Sequence, residues 1–119
     1  MGAGSSLTAG FVIGGSTSKT VLVRASGPAL AAYGGTGLMP DPQLQLFNGG
    51  TQIAANAGWG GNSQIAAEAS SVGAFAFVSP TSRDSAAVVT LAPGTPYTVQ
   101  ANSASGGGGL VLVEIYEVP

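Results

Sequence analysis

Apolar and polar residues alternate with a period of two in short runs along this chain, and glycine, proline, serine or asparagine breaks each run. In 42–47, Leu44 and Leu46 share one face while Gln43, Gln45 and Phe47 share the other. In 96–102, Tyr97, Val99 and Ala101 oppose Thr98, Gln100 and Asn102. In 110–118, Val111, Val113 and Ile115 oppose Leu110, Leu112, Glu114 and Tyr116. Side chains of a strand point alternately to its two faces, so each pattern predicts a strand with one face in a core. The β-rich runs 7–13, 19–25, 51–55, 74–78 and 85–91 predict further strands. Gly14-Gly15-Ser16-Thr17-Ser18 predicts a hairpin between 7–13 and 19–25. Asn48-Gly49-Gly50 predicts another, between 42–47 and 51–55. Pro93-Gly94 and the glycine run 106–109 are turns. The connection 26–41 opens on Gly27-Pro28 and is expected to hold one helical turn over 28–32. The segment 62–71 reads as a short helix capped by Asn62 or Ser63, with Ile65 facing inward.

About eight short, mostly antiparallel strands with turn residues between them make an all-β fold, a β-sandwich or jelly roll with at most one short helix. The 20 glycines and 7 prolines speak against anything more helical. A length of 119 residues suits one domain. The expected organisation is a flexible leader, 1–6, followed by a single β-sandwich domain, 7–119. Its core is expected to gather Leu44, Leu46, Val99, Val111, Val113 and Ile115.

Charge changes the picture most. Only 7% of residues ionise, against roughly 25% in ordinary soluble domains. With a net charge of −2 there is no basic footprint for nucleic acid, and no Lys/Arg cluster for an anionic membrane surface. No apolar run approaches the ~18 residues of a membrane span. The absence of cysteine removes disulfides and thiolate chemistry, and the absence of histidine removes the commonest general base and metal ligand. The start has no basic and apolar signal regions, so no signal peptide is expected in this chain. Met1-Gly2-Ala3-Gly4-Ser5-Ser6 fits an N-myristoylation pattern but reads more simply as the flexible leader.

The stretches KTVLVRASGP, DPQLQLF, NAGWGG, TLAPG and LVEIY, in that order, resemble an uncharacterised module of large secreted bacterial proteins. The central and C-terminal part is also similar to bacterial pre-peptidase C-terminal domains, which are small jelly-roll-like sandwiches appended to secreted enzymes. The resemblance implies an extracellular or cell-surface β-sandwich accessory module and brings no activity with it. Where members often read Asn-Asp-x-Trp, this chain has Asn56-Ala57-Gly58-Trp59, which lacks the acid a calcium site there would use.

Several residues are candidates for chemistry. Ser16-Thr17-Ser18-Lys19 matches Ser-x-x-Lys, but an acyl-enzyme needs its serine at a helix start and this motif falls in a turn. Lys19, the single lysine, is a candidate for an internal amide bond beside an acid such as Glu114, or for a charge guarding a strand edge. Asp41, Asn48, Asn56 and Asp84 offer oxygens to Ca²⁺, although without a ligand spacing. The simpler reading of the two acids is turn capping. No cofactor or metal is expected. Trp59, bracketed by glycines, could stack on a sugar ring together with Tyr33 and Tyr97, or fold back over the core. Arg24, inside an apolar strand, must be paired if buried, and Glu114 is the expected partner in a structural ion pair.

With no His, no Cys and no clustered carboxylates, an enzyme is not expected. Two classes remain: a structural module of a fibre, surface layer or large secreted protein that associates with itself through strand edges, and a glycan- or calcium-binding accessory module. Sparse charge leaves little to stop edges from pairing. The expected edges are 7–13 and 110–118, with Val12 and Val111 as assembly positions. The expected partner is a second copy or a glycan.

Overall fold

The computed structural model describes residues 6–34, 36–75, 77, 83–106 and 108–118. Among these residues seven strands form: β1 (Leu7–Val12), β2 (Lys19–Ser26), β3 (Pro42–Asn48), β4 (Thr51–Asn56), β5 (Ser85–Leu91), β6 (Pro96–Ser103) and β7 (Leu112–Val118). One 3-10 helix, Pro28–Tyr33, and one α-helix, α1 (Ser63–Ser71), complete the elements. A four-stranded sheet, ordered β1-β6-β3-β4, packs on a three-stranded sheet, ordered β5-β2-β7. Every ladder is antiparallel. The fold is an all-β sandwich.

The alternation seen in the sequence explains the core. Leu44 and Leu46 of β3 and Tyr97, Val99 and Ala101 of β6 meet Val21, Val23 and Ala25 of β2 between the sheets. Met39, Leu91 and Val111 close the ends of this cluster. β2 is buried on both faces, which is why it reads as an almost continuous apolar run. Its outward residue Leu22 joins Ala86 of β5 in a second cluster beneath α1. Ile65 and Ala69, one helical turn apart, supply the helix side of that contact. Asn62 is the N-cap, its side chain accepting from the Ile65 amide at 3.1 Å.

Several expectations change. The hairpin between 7–13 and 19–25 does not form: β1 pairs with β6, whereas β2 pairs with β5 and β7. A glycine-rich loop between two β runs permits a hairpin without imposing one. Here it carries the chain from one sheet to the other, so that Ala9 and Phe11 meet the β2 side chains across the core. Among the described residues only β3–β4 joins successive strands within one sheet. Its turn is the expected one, with Gly49 at φ +60 and Asn48 opposite Thr51. Of the expected strand 74–78, Ala74, Phe75 and Phe77 are not in a ladder, and Ala76 and Val78 lie outside the described residues. Ile115 faces inward beside Val113 yet stays 37% exposed, because β7 is a sheet edge and overhangs its neighbours. A close approach fixes the start of the 3-10 helix: a Cβ on Gly27 would lie 2.1 Å from the Met39 carbonyl oxygen.

Candidate functional site

Arg24 is the most buried ionisable cation, 1% exposed on the outer face of β2. The ladder places it opposite Glu114 of β7, with Nε 3.5 Å from Oε1. Nη1 donates to the Phe75 carbonyl at 2.7 Å. The Phe75 and Phe77 rings lie over the guanidinium at 4.3 and 4.2 Å, a contact the ring quadrupoles favour. The Tyr116 hydroxyl donates to the other Glu114 oxygen. That bond, reinforced by burial, raises the Tyr116 phenol above its ordinary value. The expected pair of Arg24 and Glu114 is therefore brought together, inside an aromatic housing. The sequence reading missed Phe75 and Phe77 as partners, although the AFAF run that reads as a strand contained the signal.

Beside this cluster lies a cavity of about 190 Å³ whose lining includes Arg24, Trp59, Ile65, Ala69 and Phe77. Trp59 meets Phe77 edge-on at 5.3 Å. The described walls are mostly apolar, the cation on the floor is paired with Glu114, and Ser70 adds a hydroxyl to the lining. Trp59 is half-buried, and its amide donates to the Asp84 carbonyl at 2.9 Å.

The proposed sugar platform does not assemble. Tyr97 is 3% exposed in the inner core, stacked on Phe11 and donating its hydroxyl to the Ala92 carbonyl. Trp59 belongs to the opposite, outer layer. The Tyr33 side chain lies outside the described ones.

The two aspartates serve the backbone. Asp84 is fully buried and accepts from the amides of Gly27 (2.8 Å) and Ala29 (3.1 Å), which ties the 3-10 helix to β5. Asp41 accepts from the Ser103 hydroxyl and from the Ser105 amide at 3.0 Å. These bonds hold its carboxyl below the usual range, against the opposing effect of burial. Asn56 accepts from the Ala86 amide at 3.1 Å, and Asn48 is exposed at the hairpin. Among the described residues no three Asp or Glu side chains gather around a metal position. Lys19 is on the surface, 3.4 Å from Glu117, so the internal amide bond with Glu114 as its neighbour loses its geometry. Ser16, Thr17 and Ser18 are exposed in the loop between sheets rather than at a helix start.

The remaining feature is a flank. β1 and β7 are both sheet edges, as expected for 7–13 and 110–118. A groove of about 390 Å³ runs between them, lined by Phe11, Val12, Ile13, Lys19, Ile115 and Glu117 among others. The described large apolar side chains that stay exposed are Leu7 and Val12 of β1, Leu112 and Ile115 of β7, Leu110 just before it, and Ile53 of β4. Val12 is 65% exposed. Val111, the other expected assembly position, is 8% exposed and belongs to the core, since it precedes β7 and points between the sheets. No protein-family model, curated protein or solved structure matches the chain.

Proposed function

We propose that this chain is a non-catalytic structural module that associates with further copies of itself along the flank formed by β1 and β7. One observation carries the reading: two open edges meet on one side, and the groove between them is lined by Val12 and Ile115, two of the described large apolar side chains that stay exposed. Open edges present unpaired amides and carbonyls, and proteins usually guard them with charges, prolines or a covering segment. This groove has one exposed ion pair, Lys19 with Glu117. An extracellular or cell-surface setting rests on the motif resemblance to modules of secreted bacterial proteins. The glycan- or calcium-binding alternative draws less support, since the acids are engaged by backbone and hydroxyl donors and Tyr97 is in the core.

Sedimentation and light scattering across a concentration series test this. The wild type is expected to associate. Val12→Lys should weaken association at least tenfold while shifting the melting temperature by only a few degrees, as is usual for an exposed position. A wild type that stays monomeric at the highest concentration overturns the proposal.

A further inference from the structure

β1 is held to the fold through a single ladder. It is a sheet edge and pairs with β6 alone, from Leu7 opposite Ala101 to Val12 opposite Pro96. Leu7, Thr8, Gly10 and Val12 are exposed, and Gly10 weakens the middle of the strand. Its hold on the core rests on Ala9 and Phe11, with Ile13 just beyond; Phe11 stacks on Tyr97 with ring centroids 5.6 Å apart.

The link from β1 to β2 is suited to movement. Residues 14–18 are exposed and uncharged, and side chains added at Gly14 or Gly15 would meet nothing within 4 Å. Extended, residues 13–18 span roughly 20 Å, close to the molecule's shortest dimension of 21 Å. A β1 that swings out can reach an adjoining molecule. It would also uncover Tyr97, Val99 and Ala101 of β6 on one side, an apolar slot that accepts a strand with small and bulky residues in the order of Ala9 and Phe11. The strand that fits this slot side chain for side chain is β1 of another copy.

We infer that association proceeds by exchange of β1, so that β1 of one copy completes the four-stranded sheet of the next by pairing with its β6. This rests on the proposed self-association and specifies its partner surface. The β1–β6 contacts are identical in the closed and exchanged forms, so exchange loses none of them and depends mainly on the linker and on new contacts along the flank. Exchanged reciprocally, β1 closes a dimer; passed on head to tail, it builds an open chain.

The chain contains no cysteine, so the two introduced thiols of a Thr8→Cys/Gln100→Cys variant are the only ones that can form disulfides. These residues lie directly opposite across the β1–β6 ladder, where Cα separations of about 4.5–5.5 Å suit a disulfide. Oxidised as a dilute monomer, the variant holds β1 in its own sheet. It should then fail to assemble at concentrations where the wild type and the reduced variant do, and reductant should restore assembly. Oxidation after assembly should give chains linked between copies on a non-reducing gel. A Gln45→Cys/Ala55→Cys variant, locked across the β3–β4 hairpin, should assemble whether oxidised or reduced. If the locked Thr8→Cys/Gln100→Cys protein assembles as readily as its reduced form, with disulfides only within chains, exchange is overturned while association along the flank stands. A wild type that never associates overturns both.

Discussion

At the scale of single residues, the two aspartates hold turns and strand ends together, and Asp41 shows what that implies for pH. The Ser103 hydroxyl lowers its carboxyl most, followed by Ser105, with burial opposing. A carboxylate whose folded value lies below its unfolded value contributes stability that is complete above the unfolded value and is lost as pH falls through the folded one. For Asp41 that loss begins below the ordinary value of 3.8. The wild-type melting temperature should therefore drop more steeply between about pH 4 and pH 2 than that of Asp41→Asn, which has no such proton to take up. Calorimetry over that range checks this, and parallel curves would show that Asp41 contributes nothing through its charge.

At the scale of elements, the register of β2 against β7 brings a buried cation and its carboxylate face to face. Removing one member of a buried pair typically costs about 3–5 kcal/mol, whereas replacing both with apolar or neutral groups is often close to neutral. Arg24→Ala should show a loss of that size in urea unfolding, with lost packing against Phe75 and Phe77 included. The double variant Arg24→Met/Glu114→Gln should recover more than half of it, since Met fills the aromatic housing and no charge is left behind. Equal losses in the single and double variants would mean that the arginine acts through its guanidinium contacts with the Phe75 carbonyl and the two rings rather than through its pairing with Glu114. Paired with Glu114 and covered by the Phe75 and Phe77 rings, Arg24 ties β2 to β7 on the helix-covered face.

For the whole molecule, the distribution of charge predicts how association responds to salt. The groove between β1 and β7 is lined by Lys19 and Glu117 as its charged residues, and these already pair with one another. Contacts between backbone groups and apolar side chains are barely screened, while exposed ion pairs separated by more than the Debye length are. Raising salt from about 0.05 M to about 0.5 M should leave the association constant within roughly threefold. A fall beyond tenfold would transfer the interface to charged residues elsewhere. β4, the other edge of the four-stranded sheet, exposes Ile53, but its neighbourhood is tied to β5 by the Asn56–Ala86 and Gly58–Ser85 hydrogen bonds. Among the described residues, the β1/β7 flank is where two sheet edges border a groove.

Much of this was legible in the sequence, because strand alternation and turn chemistry are local. The faces of 42–47 and 96–102, the β3–β4 turn at Asn48-Gly49-Gly50, the Asn62-capped helix and the Arg24–Glu114 pair all follow from residues a few places apart or from the demand that a buried charge be matched. The two edges were legible too, as terminal runs with few charges. Which sheet each strand joins was not. A loop such as 14–18 has the same composition whether it folds a hairpin back or crosses between layers, and only packing against β6 decides that β1 leaves β2. Tertiary packing likewise put Tyr97 in the core and Ile115 at an open flank, although each sits in a run of similar alternation. It also laid Phe75 and Phe77 over Arg24 rather than in a ladder. Alternation specifies which side chains share a face; what covers that face depends on residues far away in the chain.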